Sequence, residues 1–212
     1  MIEQKKDSRH YLRKEYVKRE RFINYWNQIN EVLRCNPKSV LEIGAGNHIV
    51  ANILRQFGIH VTTLDINESL KPDIVGPANK IPLERESFDA VLAGHILEHL
   101  PFDQFNECLK EIYRVSKKDA VISIPHYGLT FSIAFKFPLL KWKRFIFKIP
   151  YFWKTKPLSG EHYWEIGLRG YSLARVENAI KNSGFFIFKR FISYDDPYRM
   201  IFVLKKRNVS LD

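Results

Sequence analysis

No apolar run in the 212-residue chain reaches the roughly 18–20 positions that a helix needs to cross a bilayer, so a membrane-spanning helix is not expected. Cysteine is scarce. Cys35 and Cys108 are the two present, and neither has a metal-type partner close in sequence. That excludes a disulfide-stapled scaffold and a zinc ribbon, and it leads us to expect a reduced, cytoplasmic setting. The first ten residues, MIEQKKDSRH, lack the apolar core of a signal peptide. Internal repeats and low-complexity tracts are absent. Acidic residues are missing altogether from Ala120 to Gly160, a one-sign stretch in the middle of the chain.

What is present is a sequence able to bury a core. Hydrophobic residues make up 45% and charged residues 27%, in a length that suits one ordinary domain with an elaboration. The net charge of +11 favours contact with something acidic: nucleic acid, anionic lipid headgroups or a phosphorylated substrate.

Charge crowds residues 3–21, which read as a solvated helical arm within an N-terminal segment 1–36. Phe22, Trp26, Ile29 and Leu33 recur at helical spacing, and Asn36-Pro37 stops the helix. From residue 37 on, strands alternate with helices. Strands are expected at Ser39–Ile43, Ile59–Asp65, around Asp73–Val75, at Phe88–Ala93 and at Ala120–Ile124. Helices are expected over Asn47–Phe57, after Pro101, and over Ser172–Asn182 between Ser172 and Gly184. Such alternation predicts an α/β domain, residues 37–212, with a doubly wound parallel sheet between two helix layers. Phe185–Ile192 and Met200–Leu204 are joined by a short turn and must run antiparallel.

One stretch carries the chemistry. In "VLEIGAGN", residues 40–47, an apolar strand holds an acid, Glu42, and then breaks into Gly44-Ala45-Gly46. A strand, a glycine turn and a helix make a nucleotide-binding device, because glycine lets the backbone approach the ligand and the helix offers free N–H groups. The dinucleotide fingerprint is incomplete, since Ile49 stands where the third glycine belongs. No Lys-Ser/Thr follows, which excludes a phosphate-binding P-loop. A second acid, Asp65 in "TTLDI", closes the next strand 19 residues after Gly46. A carboxylate there can accept two hydrogen bonds from ribose hydroxyls.

With "IPLERESFDAVLAGHILEHL" following in order, the chain resembles the class I S-adenosylmethionine-dependent methyltransferases over roughly residues 38–126. The resemblance implies a Rossmann-like seven-stranded sheet whose last strand is antiparallel, an enzyme, and S-adenosyl-L-methionine as cofactor. It implies that Gly44, Ala45 and Gly46 pass under the cofactor and that Glu42 sits near its amino group. Asp65 would hold the ribose hydroxyls and Ile66 would pack on the adenine. Ala78 and Asn79 fall at an adenine contact, where many members carry an Asp just before that Ala and this chain has Pro77. Ala93, Gly94 and His95 would lie under the methionine part.

Methyl transfer from a sulfonium asks the protein to align the acceptor, exclude water and, for a hydroxyl, remove a proton. His126 and His162 are the candidate catalytic residues. His126 follows the fifth strand, and ligands of open α/β sheets lie beyond the carboxyl ends of the strands. His162 starts the segment that returns to the core, and His99 is read as structural. His95, Glu98, His99 and His126 have metal-ligand chemistry, but the Leu-Glu-His triplet is common in members without a metal, and no metal is expected.

Residues 127–160 form a basic, aromatic insertion, read as a lid over the acceptor. Its composition also suits an interfacial membrane helix, or a surface that stacks bases. On the membrane reading, Lys141, Lys143, Arg144 and Lys148 meet anionic headgroups while Trp142 and Phe145 enter the interface. The expected acceptor is a small or lipid-linked molecule, such as a sugar hydroxyl of a glycan precursor. RNA is the alternative. A non-catalytic cofactor- or membrane-binding protein of the same fold is the alternative from another class.

Overall fold

In the computed structural model, which describes residues 18–136, 138, 142–157 and 160–207, nine strands and four α-helices are defined among those residues. We number them in chain order: β1 Ser39–Ile43, β2 His60–Asp65, β3 Ile74–Val75, β4 Phe88–Gly94, β5 Ser116–Pro125, β6 Gly128–Phe135, β7 Lys143–Pro150, β8 Phe185–Ser193 and β9 Asp196–Lys206. The helices are α1 Arg19–Arg34, α2 Ile49–Gln56, α3 Phe102–Val115 and α4 Leu173–Asn182. No described helix is long and apolar enough to cross a membrane.

Seven strands form one sheet in the order β3-β2-β1-β4-β5-β9-β8. β1, β2, β3, β4 and β5 run parallel, and β9 lies antiparallel between β5 and β8. The expected fold is therefore present, with the last strand of the chain as the antiparallel one. The central strands are covered on both faces, which is why they are continuous apolar runs. Leu41, Ile43, Leu92, Val121 and Ile122 are at most 1% exposed, and each such side chain contributes about 1.5–3 kcal/mol. One core layer joins the sheet to α3 and α4 through Phe105, Leu109, Ile112, Val176 and Ile180. The other joins it to α1 and α2 through Ile29, Val32, Val50 and Leu54.

Two local expectations are met by named contacts. The Ser172 side chain accepts the Arg175 N–H and caps α4, and α3 starts directly after Pro101. Three others are corrected. β5 begins at Ser116 rather than Ala120, because Lys117 and Lys118 lie at its exposed start. The helix face expected from Phe22, Trp26, Ile29 and Leu33 is rotated. Phe22 and Trp26 stand 47% and 62% exposed, while Asn24, Asn27, Gln28, Ile29, Glu31 and Val32 face the sheet. α1 thus belongs to a helix layer, against β4, β5, β9 and α2. Of the inward polar residues, the Gln28 amide donates to Ser123 Oγ on β5 at 3.1 Å and Glu31 accepts from Lys189 at 2.7 Å, while the Asn24 side chain has no partner among the described residues. Residues 1–17 of the expected arm lie outside the described residues, as do Phe137 and Lys141.

The third correction concerns the insertion, which is a β-hairpin and not an interfacial helix. β6 and β7 form a separate two-stranded sheet, with Leu129 opposite Ile149, Phe131 opposite Phe147 and Ile133 opposite Phe145. The residues alternate with period two, so every second side chain falls on the same face.

Candidate active site

The carboxyl ends of β1, β2, β4 and β5 meet at one edge of the sheet because these strands are parallel. Beyond β1 the chain turns through Gly44 and Gly46, both left-handed at φ +73° and +54°. A Cβ on Gly44 would stand 2.9 Å from Ile96 Cβ, so the turn demands glycine for space as well as conformation. Ala45, between them, is buried.

Glu42 is 6% exposed. Burial pushes its carboxyl up to about 8, against the pull of the Ala51 N–H and Arg55. Its Oε2 has no partner among the described residues. Asp65 ends β2 and accepts the Asn67 N–H at 2.9 Å. Burial raises its carboxyl, and the backbone N–H groups of Asn67, Gly46 and Ile66 oppose the rise. Ile66 beside it is 37% exposed, a free apolar surface next to the acid. Ala93 is buried inside β4, and Gly94 pairs with Ser123. His95 then takes a left-handed φ of 58°. Ala78 packs on the core. Asn79 donates its amide to Glu107 on α3 at 2.9 Å.

Beyond the ends of β4 and β5 lies a buried polar network. His95 Nδ1 is hydrogen-bonded to Glu98 Oε1 at 3.0 Å. Burial holds the His95 imidazole well below its ordinary range and lifts the Glu98 carboxyl to about 7. His162 Nδ1 is hydrogen-bonded to Glu165 Oε1 at 2.7 Å, and its Nε2 stands 4.0 Å from Glu98 Oε1. Tyr198 donates its hydroxyl to the same Glu165 oxygen at 2.7 Å. Burial and Glu165 raise the phenol, which keeps it protonated. Arg199 bonds Asp196 at 2.6 Å. His126 is 5% exposed, with neither ring nitrogen partnered among the described residues, and burial lowers it to about 4. Its carbonyl accepts the Lys148 ammonium. The expected pair thus divides: His162 is held by a carboxylate, and His126 stands unsupported.

Glu98, His99 and His162 place ligand atoms within 4.8 Å of one another, a set with the chemistry to hold a divalent cation. His99 Nδ1 is also hydrogen-bonded to Glu161 O. Beside Tyr127 lies an open cleft of about 400 Å³, lined by Tyr127, Trp153, Lys154, Thr155, Lys156 and Pro157.

Sequence reasoning did not find Gln28, Glu165, Tyr198, Arg199 or the inward role of Lys148. Gln28 sits on a helix read as an arm. Asp196, Tyr198 and Arg199 reach the site only because β9 inserts beside β5, pairing Arg199 with Pro125. One signal was available for Glu165: it follows His162 at i+3 in "EHYWE", the same offset that separates His95 from Glu98.

The cradle fits S-adenosylmethionine. Its turn takes the left-handed backbone of Gly44 and Gly46, Glu42 offers an orphaned buried acceptor, and Asp65 and Ile66 pair an acid with an apolar surface.

Comparison with known proteins agrees. Residues 41–124 match the family model of the methyltransferase domain Methyltransf_11. No curated protein matches the chain by sequence. Among solved structures, the chain is similar to an S-adenosylmethionine-dependent methyltransferase from Clostridium acetobutylicum ATCC 824, with TM-score 0.64, 12% identity, and coverage of 94% of this chain and 99% of that one. A methyltransferase from Archaeoglobus fulgidus gives TM-score 0.64 at 15% identity, covering 94% and 100%. Magnesium protoporphyrin IX methyltransferase from Synechocystis PCC 6803, crystallised with S-adenosylhomocysteine, gives 0.60 at 13% identity, covering 90% and 87%. The matched segment, residues 41–124, is a methyltransferase domain that carries the glycine turn, Asp65 and the β4 edge, and the chain around it has the fold of these S-adenosylmethionine-dependent enzymes.

Proposed function

We propose that the enzyme methylates a hydroxyl of a small or lipid-linked acceptor in the cytoplasm, with His162 as general base. One observation carries the reading: His162 has one ring nitrogen on buried Glu165 and the other facing buried Glu98, beside the end of β4. The cofactor supplies a methyl group already activated on sulfur. Glu42, Asp65 and the Gly44–Gly46 turn would hold it. The protein's remaining task is to orient the hydroxyl and take its proton as the new O–CH3 bond forms.

His162 suits that task. Glu165 fixes its orientation and stabilises the imidazolium once the proton arrives, and Tyr198 holds Glu165 in turn. His126, lowered to about 4, is a weak base near neutral pH and is assigned to acceptor contact. The cleft beside Tyr127 suits an acceptor with a ring and a negative group, since Trp153 and Tyr127 offer aromatic faces and Lys154 and Lys156 offer charge. A sugar carried on a lipid phosphate has that chemistry.

The test is a screen with methyl-labelled cofactor against lipid-linked glycans, soluble phenols and sugars, and RNA. Label in a lipid or small-molecule fraction, lost in His162→Ala, supports the reading. Label in RNA alone refutes it.

A further inference from the structure

The β6–β7 hairpin has two unlike faces. One carries Leu129, Phe131, Ile133, Phe135, Phe145 and Phe147, each between 39% and 65% exposed. The other turns toward the protein at its base, where Ile146 and Lys148 are part-buried, and is exposed at Ser132, Ala134 and Arg144. Lys148 on it donates to the carbonyls of His126 and Pro197. Arg144 pairs with Asp195 at 3.2 Å and lies 4.9 Å over the Tyr194 ring. The expectation that Arg144 and Lys148 meet lipid headgroups is therefore corrected: the two cations clamp the hairpin to the β8–β9 turn and hold its apolar face outward. Scattered exposed apolar residues need no explanation, but a contiguous, oriented set marks a contact surface.

We propose that this outward face docks the enzyme on an anionic lipid bilayer. The charge around it selects that occupant. Lys136 and Lys143, both exposed, stand at the end of the hairpin where β6 passes into β7, next to Trp142 at 54% exposure. Phe152, Trp153, Lys154 and Lys156 follow beyond β7, and no acid occurs from Ala120 to Gly160. A second copy carries the same net charge of +11 and is repelled, whereas anionic headgroups are attracted. Trp and Lys ringing an apolar patch is the arrangement that settles at the headgroup boundary. The outer edges of a two-stranded ribbon carry backbone groups that hydrocarbon cannot satisfy, so side chains enter the interface while the strands stay at its surface. Both ends of the hairpin return beside His126, which turns the acceptor side of the site toward the lipid.

This docking deepens the lipid-linked reading of the acceptor, and its test is independent of turnover. The full chain is co-sedimented with vesicles of phosphatidylcholine, alone and mixed with phosphatidylglycerol, at low and high salt, while light scattering gives its oligomeric state. The expected result is binding to the anionic vesicles only, released by salt. A Phe131→Ser/Phe147→Ser variant should lose at least tenfold in partitioning while keeping its calorimetric affinity for S-adenosylmethionine. Lys136→Glu/Lys143→Glu, which leaves the apolar ladder intact, should lose it too. A chain that stays in solution with anionic vesicles at low salt overturns the proposal. So does vesicle binding unchanged in both variants, a dimer that the serine variant dissociates, or RNA retention that the same variant abolishes. Methylation of a soluble acceptor by a chain that ignores vesicles would refute docking and leave the catalytic assignment standing.

Discussion

Cofactor affinity should depend on pH through Glu42. Its carboxyl is 6% exposed, has one backbone N–H as its main support, and is pushed up to about 8 by burial. In the cofactor-free protein it is therefore mostly protonated at neutral pH. Opposite a cofactor ammonium the ionised form is preferred, so binding should release a proton. For a group titrating at about 8, roughly 1% is ionised at pH 6 and roughly a quarter at pH 7.5. If only the ionised form binds well, affinity should rise about twentyfold across that window, or about 1.8 kcal/mol. The rise should level off near pH 8, where an α-amino group begins to lose its own proton. Calorimetry in two buffers of different ionisation enthalpy reads the released proton directly. Glu42→Gln keeps the shape and removes the titration, so its affinity should be flat over the window. Folding stability has the opposite slope. The folded state keeps a proton that the unfolded chain has shed above its ordinary carboxyl range, so wild-type stability falls as pH rises toward 8, and the Gln variant removes that fall. A wild-type affinity flat from pH 6 to 7.5, or a slope that survives in Glu42→Gln, would refute the placement of Glu42.

Asp65→Ala should weaken S-adenosylmethionine binding by about 1.5–3 kcal/mol, the worth of hydrogen bonds to a charged group, and an unchanged calorimetric affinity in a folded variant would sink its ribose role. His162→Ala should cut turnover by about a hundredfold or more with cofactor affinity nearly intact. Glu165→Gln should cut it less, again with calorimetric cofactor affinity nearly intact. Chelation by EDTA should leave turnover unchanged, since proton removal is assigned to His162 itself. Activity lost to the chelator and restored by zinc or manganese would place an ion at Glu98, His99 and His162.

The cofactor half of the site was legible because it is local. Glu42, the glycine turn and Asp65 lie within one strand–turn–helix–strand unit, and their spacing reflects the geometry that positions them. The polar network beyond β4 was legible only in its histidines, because its other groups come from the segment after the hairpin and from β9, which only tertiary packing brings together. Within it, the His162–Glu165 offset was visible, but Tyr198 was not, since nothing local marks a tyrosine after a turn as a carboxylate's partner. The hairpin was misread for a different reason. Its density of aromatic and basic residues drew attention from their order, although Leu129, Phe131, Ile133 and Phe135 alternate strictly, which is strand spacing.

The position of β9 has a consequence for how the molecule comes into being. β9 is the last of the nine described strands to be synthesised, yet it lies between β5 and β8 and covers β5 from Asp119 to Pro125. Until residues 196–206 emerge, β5 is an uncovered apolar edge, and pairing must span separations of 74 residues (Pro125 to Arg199) to 86 residues (Asp119 to Lys205). Contacts so distant in sequence form slowly, and an exposed strand edge invites pairing with other chains meanwhile. Asp196, Tyr198 and Arg199 ride on that strand. The nascent chain can thus assemble the β1–β2 cradle before β9 arrives, and the Tyr198 that holds the Glu165 partner of His162 comes only with that strand.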